Sequence, residues 1–208
     1  MEIDVLPVGL LETNCYLITC PRTREAALID PGWDDPSILE AIRKREASVK
    51  IILLTHAHFD HIGGVSAMIR ATGAPLALHK DDLPLLRVKG WADMWNIPIP
   101  PCPDPDRFLE PDETLEIGSL RLKVLFTPGH TPGHVSFYEA EHGVLFDGDV
   151  LFKQGVGRTD IPGGDAAQLL DSIRRVLFAL PDEVIVYPGH GPATTIGEEK
   201  RLNPWVQA

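Results

Sequence analysis

The chain has 208 residues, of which 44% are hydrophobic and 24% are charged, a balance typical of one globular domain spanning residues 1–208. The formal net charge is -11, which disfavours nucleic acid and anionic membrane surfaces as partners. No apolar run approaches the length of a membrane span, and the first residues lack the pattern of a secretory signal. We therefore expect a cytoplasmic protein that is a monomer or a small homo-oligomer.

The first 54 residues contain short apolar runs that predict strands, together with one helix. The first runs, at 3–6, 14–19 and 26–29, predict a β meander. Asp35 followed by Pro36 predicts a helix start with the acid as N-cap, and this helix is expected to end near Glu46. The unbroken apolar run at 51–54 predicts a buried strand.

A histidine-rich stretch follows that strand directly. It reads Thr55-His56-Ala57-His58-Phe59-Asp60-His61. Imidazole nitrogens and carboxylate oxygens are ligands for borderline divalent ions such as zinc, and crowding them together is costly without a cation. A solvated turn that is rich in histidine by chance is the alternative, but the preceding strand would deliver these side chains to one fixed place. The stretch therefore predicts a metal site.

The next segment combines a short helix with an unusual loop. Apolar residues at helical spacing predict a helix from Val65 that Gly73 ends, and His79 marks a strand end before a second helical segment. Residues 88–111, which we call the Pro/Trp-rich loop, contain six prolines, which are expected to exclude regular structure over a stretch that also holds Trp91, Met94 and Trp95. This loop is interpreted as a lid over a pocket, a subunit contact, or a segment packed on the core.

The second half repeats the pattern of an apolar run followed by a polar turn. The runs at 124–126, 144–146 and 184–187 precede His130, Asp149 and His190, respectively. Active sites are typically assembled at strand ends, so these side chains are candidate ligands. The tripeptide Pro-Gly-His occurs at 128–130 and again at 188–190, which suggests two related halves. Between them, the spacing of Asp165 and Gln168 predicts a capped helix.

One further acid and three further histidines are not assigned as metal ligands. His134 is predicted to hydrogen-bond behind a ligand rather than to bind metal, because it lies four residues after His130 and precedes an apolar run. Asp30 either orients a histidine or caps its own turn. His79 and His142 lie beside charged or turn residues and are predicted to be solvated.

The whole set of histidines and aspartates resembles the ligand pattern of the metallo-β-lactamase superfamily, in the same order along the chain. The stretches 13–16, 148–152 and 187–199 resemble its glyoxalase II (hydroxyacylglutathione hydrolase) branch, especially the short single-domain bacterial members. The resemblance implies an α/β fold, an αββα sandwich of two mixed β-sheets flanked by helices. It also implies that the metals lie at one edge, between the two sheets.

The resemblance further implies two divalent metal ions per chain, zinc first, with iron or manganese as other candidates. The implied ligands are His56, His58 and His130 for one ion, Asp60, His61 and His190 for the other, and Asp149 as a bridge. A bridge is also required chemically, because two close cations repel strongly unless a carboxylate and hydroxide lie between them. The pair then lowers the pKa of the shared water.

By this resemblance the protein is expected to hydrolyse a thioester such as S-lactoylglutathione through the bridging hydroxide, with Asp60 and Asp149 as catalytic residues. The partner is thus a small-molecule thioester, and glutathione is a candidate for its thiol. Relatives place a cation at the position of Arg158 to meet the glutathione part, and a guanidinium suits a carboxylate. The alternative for Arg158 is a pair with Asp160 that braces its loop.

The main rival function is an oxidoreductase on the same fold. Residues 157–160 and 199–204 also resemble the persulfide dioxygenase branch, which uses one iron held by two histidines and an aspartate. Here that set would be His56, His130 and Asp149. The absence of an export signal disfavours a β-lactamase, and the acidic chain disfavours a nuclease. A metal-binding protein without catalysis is a further class.

Overall fold

The computed structural model describes residues 1–206, which contain fourteen strands and six α-helices. The strands are β1 (Glu2–Val8), β2 (Thr13–Thr19), β3 (Glu25–Ile29), β4 (Ser48–Leu53), β5 (Leu76–His79), β6 (Arg107–Leu109), β7 (Thr114–Ile117), β8 (Leu120–Phe126), β9 (Val135–Glu139), β10 (Val144–Gly148), β11 (Leu151–Phe152), β12 (Gly155–Val156), β13 (Ile185–Pro188) and β14 (Thr194–Thr195). The α-helices are α1 (Pro36–Lys44), α2 (Phe59–Ile62), α3 (Val65–Thr72), α4 (Leu83–Arg87), α5 (Ala166–Ser172) and α6 (Ile196–Leu202). Within this part of the chain, no helix has the length and apolarity that crossing a membrane requires.

Each half of the chain builds one six-stranded sheet. The first sheet has the order β1-β2-β3-β4-β5-β6 and the second has the order β14-β13-β10-β9-β8-β7. Both sheets are mixed, because β3, β4, β5 and β6 pair in parallel in the first and β10 pairs in parallel with β13 in the second. The two sheets pack face to face, and helices cover their outer faces, so the predicted αββα sandwich is confirmed.

Strand β2 shows why its sequence is apolar without alternation. Cys15 and Leu17 point to the outer layer under the helices, whereas Tyr16 and Ile18 point into the core between the sheets. Successive side chains of a strand face opposite sides of its sheet, so a strand covered on both sides carries apolar residues at every position. The same reasoning explains the run at 51–54 that leads into the histidine-rich stretch.

The helix ends follow the local signals closely. Asp35 accepts a hydrogen bond from the backbone N of Ser37, and Asp165 accepts one from that of Gln168, as N-caps do. Gly73 ends α3 with a φ of 70°, a left-handed conformation that glycine adopts without steric cost. Helix α1 ends at Lys44, two residues before the predicted end.

The prediction that His79 is solvated is wrong. Its side chain is buried, with only 3% of the residue exposed, and its ring packs on that of Phe126 at 4.7 Å between centroids. The reason is tertiary: β5 is an interior strand of the first sheet, and its last residue is covered by the end of β8. His142 is exposed, as predicted, and contacts Glu139.

The Pro/Trp-rich loop contains more regular structure than its prolines suggest. Residues Lys89–Trp95 form 3-10 turns, and β6 lies between Pro105 and Pro111. The expectation that prolines exclude regular structure here is wrong for β6, because its three residues keep their backbone N–H groups and pair in parallel with β5.

Candidate metal centre

Loops at the ends of four strands meet at one edge of the sandwich. The loop after β4 carries the histidine-rich stretch, and the loops after β8, β10 and β13 carry the remaining predicted ligands. Three groups of three side chains in the described part of the chain have ligand atoms within 4.8 Å of one another, and one of them is Asp30, His56 and His61. The other two are His56, His58 and His130, which we call cluster A, and Asp60, His61 and His190, which we call cluster B. These are the two sets that the sequence resemblance implies.

Cluster A consists of three buried imidazoles. The Nδ1 atom of His58 lies 2.8 Å from Nε2 of His130, and Nδ1 of His130 donates to the carbonyl oxygen of Arg158 at 2.8 Å. Burial lowers the pKa of His56 well below its ordinary value and lowers the pKa of His58 to about 3. The rings are therefore neutral, which is the form that binds metal.

Cluster B is surrounded by carboxylates and by backbone acceptors. His190 donates from Nδ1 to the carbonyl oxygen of Leu11 at 3.0 Å, so its Nε2 faces Oδ2 of Asp60 at 3.1 Å. His61 places Nδ1 3.0 Å from Oδ2 of Asp30, which leaves Nε2 for a ligand. These contacts select the ring nitrogen that faces the cluster, as is common for metal-binding histidines.

Asp149 lies between the two clusters. Its Oδ2 is 3.5 Å from Nε2 of His130 in cluster A and 3.7 Å from Nε2 of His190 in cluster B, and its Oδ1 is 3.5 Å from Nε2 of His61. Burial alone would raise the pKa of Asp149, but His61 and then His130 outweigh this effect and hold the pKa well below its usual range. An ionised carboxylate in this position can contact two cations at once.

The donor atoms fit a divalent cation. Within residues 1–206, buried atoms without a hydrogen-bond partner include Nε2 of His56, Nε2 of His61 and Oδ1 of Asp149. Leaving such an atom unpaired costs about 1–3 kcal/mol, which a bound ion would offset. Burial opposes protonation of His61, yet Asp149, Asp60 and Asp30 raise its pKa, which shows that this environment favours positive charge. The fold and the clusters together imply divalent metal ions.

The predictions that Asp30 orients a histidine and that His134 hydrogen-bonds behind a ligand are confirmed. Asp30 accepts hydrogen bonds from the backbone N and the Oγ1 of Thr55 and also orients His61. Both of its carboxylate oxygens are therefore engaged in hydrogen bonds. His134 is completely buried and accepts a hydrogen bond at Nε2 from the backbone N of Asp149 at 3.1 Å. It therefore supports the Asp149 loop and does not join either cluster.

The Thr13–Tyr16 motif positions the turn that carries His190. The side chain of Asn14 donates to the carbonyl oxygens of Pro188 and Gly191 at 3.0 and 2.9 Å, and the hydroxyl of Tyr16 also donates to Pro188. The side chain of Thr13 donates to Oδ2 of Asp60 at 3.2 Å. One end of the first sheet thus holds a ligand loop of the second sheet.

Asp82 connects two of the ligand loops, although no ligand motif in the sequence includes it. It is completely buried and accepts hydrogen bonds from the backbone N of Ala57, the hydroxyl of Thr131 and the backbone N of Gly133, at 2.9, 2.8 and 2.7 Å. It joins the loop of His56 and His58 to the loop of His130. Burial raises its pKa to about 6, although these three hydrogen bonds act in the opposite direction. Its one sequence signal is an acid just after β5, at the same sheet edge.

Replacing Asp82 with alanine is expected to weaken both the fold and metal binding. Two buried backbone N–H groups lose their acceptor, and at about 1–3 kcal/mol for each group the unfolding free energy is expected to fall by about 2–6 kcal/mol. Metal affinity is expected to fall about 10–100-fold, as for other residues that hold ligands in place. Denaturant unfolding of the metal-free protein and chelator competition measure the two effects. The control is Asp81→Ala, since the side chain of Asp81 is 47% exposed; equal results for both variants would contradict this role.

A cavity of about 460 Å³ opens beside the two clusters. Its apolar wall consists of Leu11, Phe59, Trp91, Trp95, Ile97, Phe152, Val156 and Ile161. The Pro/Trp-rich loop thus supplies part of the wall, which agrees with its interpretation as a cover over a pocket. Arg158 also lines the cavity, and its guanidinium pairs with both carboxylate oxygens of Asp160 at 2.8 and 2.9 Å. Both alternatives for Arg158 therefore have structural support.

An αββα sandwich with two clusters of histidine and aspartate side chains at one edge defines a class of metal-dependent enzymes. The model of the metallo-beta-lactamase superfamily matches residues 8–190, and the chain belongs to this superfamily. Hydroxyacylglutathione hydrolase GloC of Haemophilus influenzae is 38% identical over 211 residues, covering 100% of this chain and 99% of that protein.

Two solved structures resemble this one along its whole length. The crystal structure of BLEG-1 B3 metallo-beta-lactamase has a TM-score of 0.93 and 39% identity, with 100% of both chains covered. The crystal structure of TTHA1623 in a di-iron-bound form has a TM-score of 0.89 and 42% identity, covering 98% of this chain and 100% of that one. These likenesses extend over both sheets and all the loops that carry the clusters.

Proposed function

We propose that the protein is a binuclear metallohydrolase that cleaves thioesters of the hydroxyacyl type, such as S-lactoylglutathione. The observation that carries this proposal is the presence of two complete clusters with the carboxylate of Asp149 between them. Similarity to hydroxyacylglutathione hydrolase GloC over the whole chain supports the choice of a thioester. The seven predicted ligands are proposed to hold two ions, zinc first, with iron or manganese as alternatives.

The residues around the clusters have separate roles in this proposal. Divalent ions held by the two clusters would supply Lewis acidity, which would lower the pKa of a bound water and polarise a carbonyl group. Asp60 lines the cavity, and its Oδ2 accepts from Thr13, so it is placed to orient a water molecule and to hold its proton. The backbone carbonyl oxygens of Arg158 and Leu11 keep His130 and His190 in the tautomer that carries its proton on Nδ1. The Nε2 atom of each ring is then free to bind an ion.

The rival function, a mononuclear iron persulfide dioxygenase, would use His56, His130 and Asp149. In this rival function cluster B would bind no metal ion, although Asp30 and Leu11 orient the rings of His61 and His190 in that cluster. A second set of candidate ligands whose ring orientations are fixed by hydrogen bonds favours the binuclear hydrolase.

Elemental analysis combined with two activity assays tests the proposal. We expect about two metal ions per chain and cleavage of thioesters under anaerobic conditions, because hydrolysis consumes only water. Release of the thiol can be followed with a colorimetric thiol reagent, and oxygen with an electrode. One iron per chain, with oxygen uptake on glutathione persulfide and no thioester cleavage, would establish the rival instead.

A further inference from the structure

The chemistry of the cavity wall points to a narrower class of thioester. Apart from Arg158, the residues of the metal centre and the indole N–H groups of Trp91 and Trp95, the side chains that line the cavity within residues 1–206 are apolar. Among these residues are the two indole rings of Trp91 and Trp95 and the phenyl ring of Phe152. Such rings bury large area and prefer stacked or edge contacts with other apolar or aromatic groups.

The part of the aromatic wall that carries Trp91 is packed closely against the histidine-rich stretch. Gly90 has a φ of 58°, and a Cβ built there would lie 2.2 Å from the backbone N of Phe59 and 2.4 Å from the carbonyl oxygen of Ala57. The backbone before Trp91 is therefore pressed against the histidine-rich stretch. Trp91 itself has a φ of 64°, a conformation that a bulky residue adopts only where its surroundings enforce it. The backbone that carries Trp91 is therefore already in place before a substrate binds.

Charged groups of a substrate find few partners in the cavity. Arg158 is the one arginine or lysine that lines the cavity within the described chain, and it pairs with Asp160 through two hydrogen bonds in a surface pair whose side chains are 51% and 72% exposed. Its guanidinium also lies 5.8 Å from the ring of Trp95, over the indole. The carboxylates of Asp60 and Asp149 are engaged by histidines. Glutathione carries two carboxylates and an ammonium group, and burying charges without partners is costly.

We infer that the cavity selects thioesters that carry an apolar, preferably aromatic, acyl group on an uncharged thiol, and that it disfavours the glutathione chain. The inference rests on the proposed thioesterase function and concerns only the groups on either side of the reacting carbonyl. Asp160 is assigned as a specificity-determining residue, because it pairs with the cation that a substrate carboxylate would need.

Four substrates that share a 2-hydroxyacyl thioester test the preference for the acyl group and the preference for the thiol separately. They are the lactoyl and 3-phenyllactoyl thioesters of glutathione and of N-acetylcysteamine. Replacing methyl by benzyl in the acyl group is expected to raise kcat/KM at least about tenfold, from burial of the added ring. Replacing glutathione by N-acetylcysteamine is expected to leave kcat/KM the same or higher. If S-lactoylglutathione has the highest kcat/KM of the four, the inference is wrong.

Binding to the metal-free protein provides a readout that does not depend on catalysis. S-benzyl-N-acetylcysteamine and S-methylglutathione are thioethers that cannot be hydrolysed, and their binding can be followed by tryptophan fluorescence. We expect the benzyl compound to bind at least about tenfold more tightly. Tighter binding of S-methylglutathione would overturn the inference. Failure to hydrolyse any of the four thioesters would overturn the proposed function, while this binding comparison would still decide the character of the cavity.

Variants assign the preference to particular residues. Trp95→Ala is expected to reduce the ratio of 3-phenyllactoyl to lactoyl kcat/KM about tenfold. Met94→Ala on the same turn is the matched control, since Met94 is 57% exposed and does not line the cavity. Asp160→Asn is expected to raise kcat/KM for glutathione thioesters about threefold or more relative to N-acetylcysteamine thioesters, by freeing Arg158. An unchanged ratio in both Trp95→Ala and Asp160→Asn would refute these assignments.

Discussion

Asp149→Ala is expected to lower kcat/KM for thioesters by at least about 100-fold, since even residues that only support metal ligands typically change metal affinity or activity 10–100-fold. The carboxylate of Asp149 contacts His61 and His190 in one cluster and His130 in the other. Its loss removes the negative charge between two proposed cation sites, so two ions would repel each other there. Metal content is accordingly expected to fall below two ions per chain.

The backbone around residue 149 is expected to survive this substitution. The hydrogen bond from the backbone N of Asp149 to Nε2 of His134 does not involve the replaced side chain. Circular dichroism and the kinetics of thiol release, together with metal analysis, therefore separate a damaged centre from a damaged fold. Asp112→Ala is a suitable control, because the side chain of Asp112 is 78% exposed and pairs only with Lys123 on the surface. Parent-like thioester hydrolysis by Asp149→Ala would refute the proposed mechanism.

Removal of the metal ions is expected to abolish activity and to destabilise the fold. A ligand that binds only the folded state stabilises it by about 2.7 kcal/mol at a free concentration 100 times its Kd, and by about 4.1 kcal/mol at 1,000 times. The effect should be large here because each cluster includes two side chains from the loop after β4 in the first sheet and one from a loop of the second sheet. Bound ions would therefore connect the two halves of the sandwich.

Denaturant unfolding with and without a chelator measures this stabilisation, and activity measured after dialysis shows whether it is reversible. Addition of about two equivalents of zinc, iron or manganese per chain is expected to restore both properties. Magnesium is the control, because it prefers six oxygen ligands and the clusters offer mainly imidazole nitrogen. A metal-free protein with the stability and activity of the parent would contradict the assignment of the clusters as metal sites.

The placement of the candidate ligands follows from simple features of the chain. Strands could be predicted from apolar runs, and polar residues just after parallel or interior strands collect at one sheet edge. For this reason His130, Asp149 and His190 could be identified as candidates, although they are far apart along the chain. The resemblance to the metallo-β-lactamase superfamily then implied how they group, and the structure brings each implied group together.

Residues that act through contacts across the fold were harder to find. Asp82 accepts from Thr131, 49 residues away, and nothing in the neighbourhood of Asp82 indicates that partner. His79 was predicted to be solvated because of its charged neighbours, whereas the packing of β5 against β8 buries it. In both cases, the deciding contacts come from another part of the chain.

By itself, the amino-acid sequence determined the elements whose causes are local. The N-cap at Asp35, the end of α3 at Gly73 and the ligand types after each strand depend on residues within a few positions of one another. Only the tertiary structure decided that Nδ1 of His58 faces His130, 72 residues away, that Asp82 joins their loops, and that Trp91 and Trp95 line the cavity. These contacts depend on how the two sheets pack, because packing brings together side chains whose separation along the chain carries no local signal.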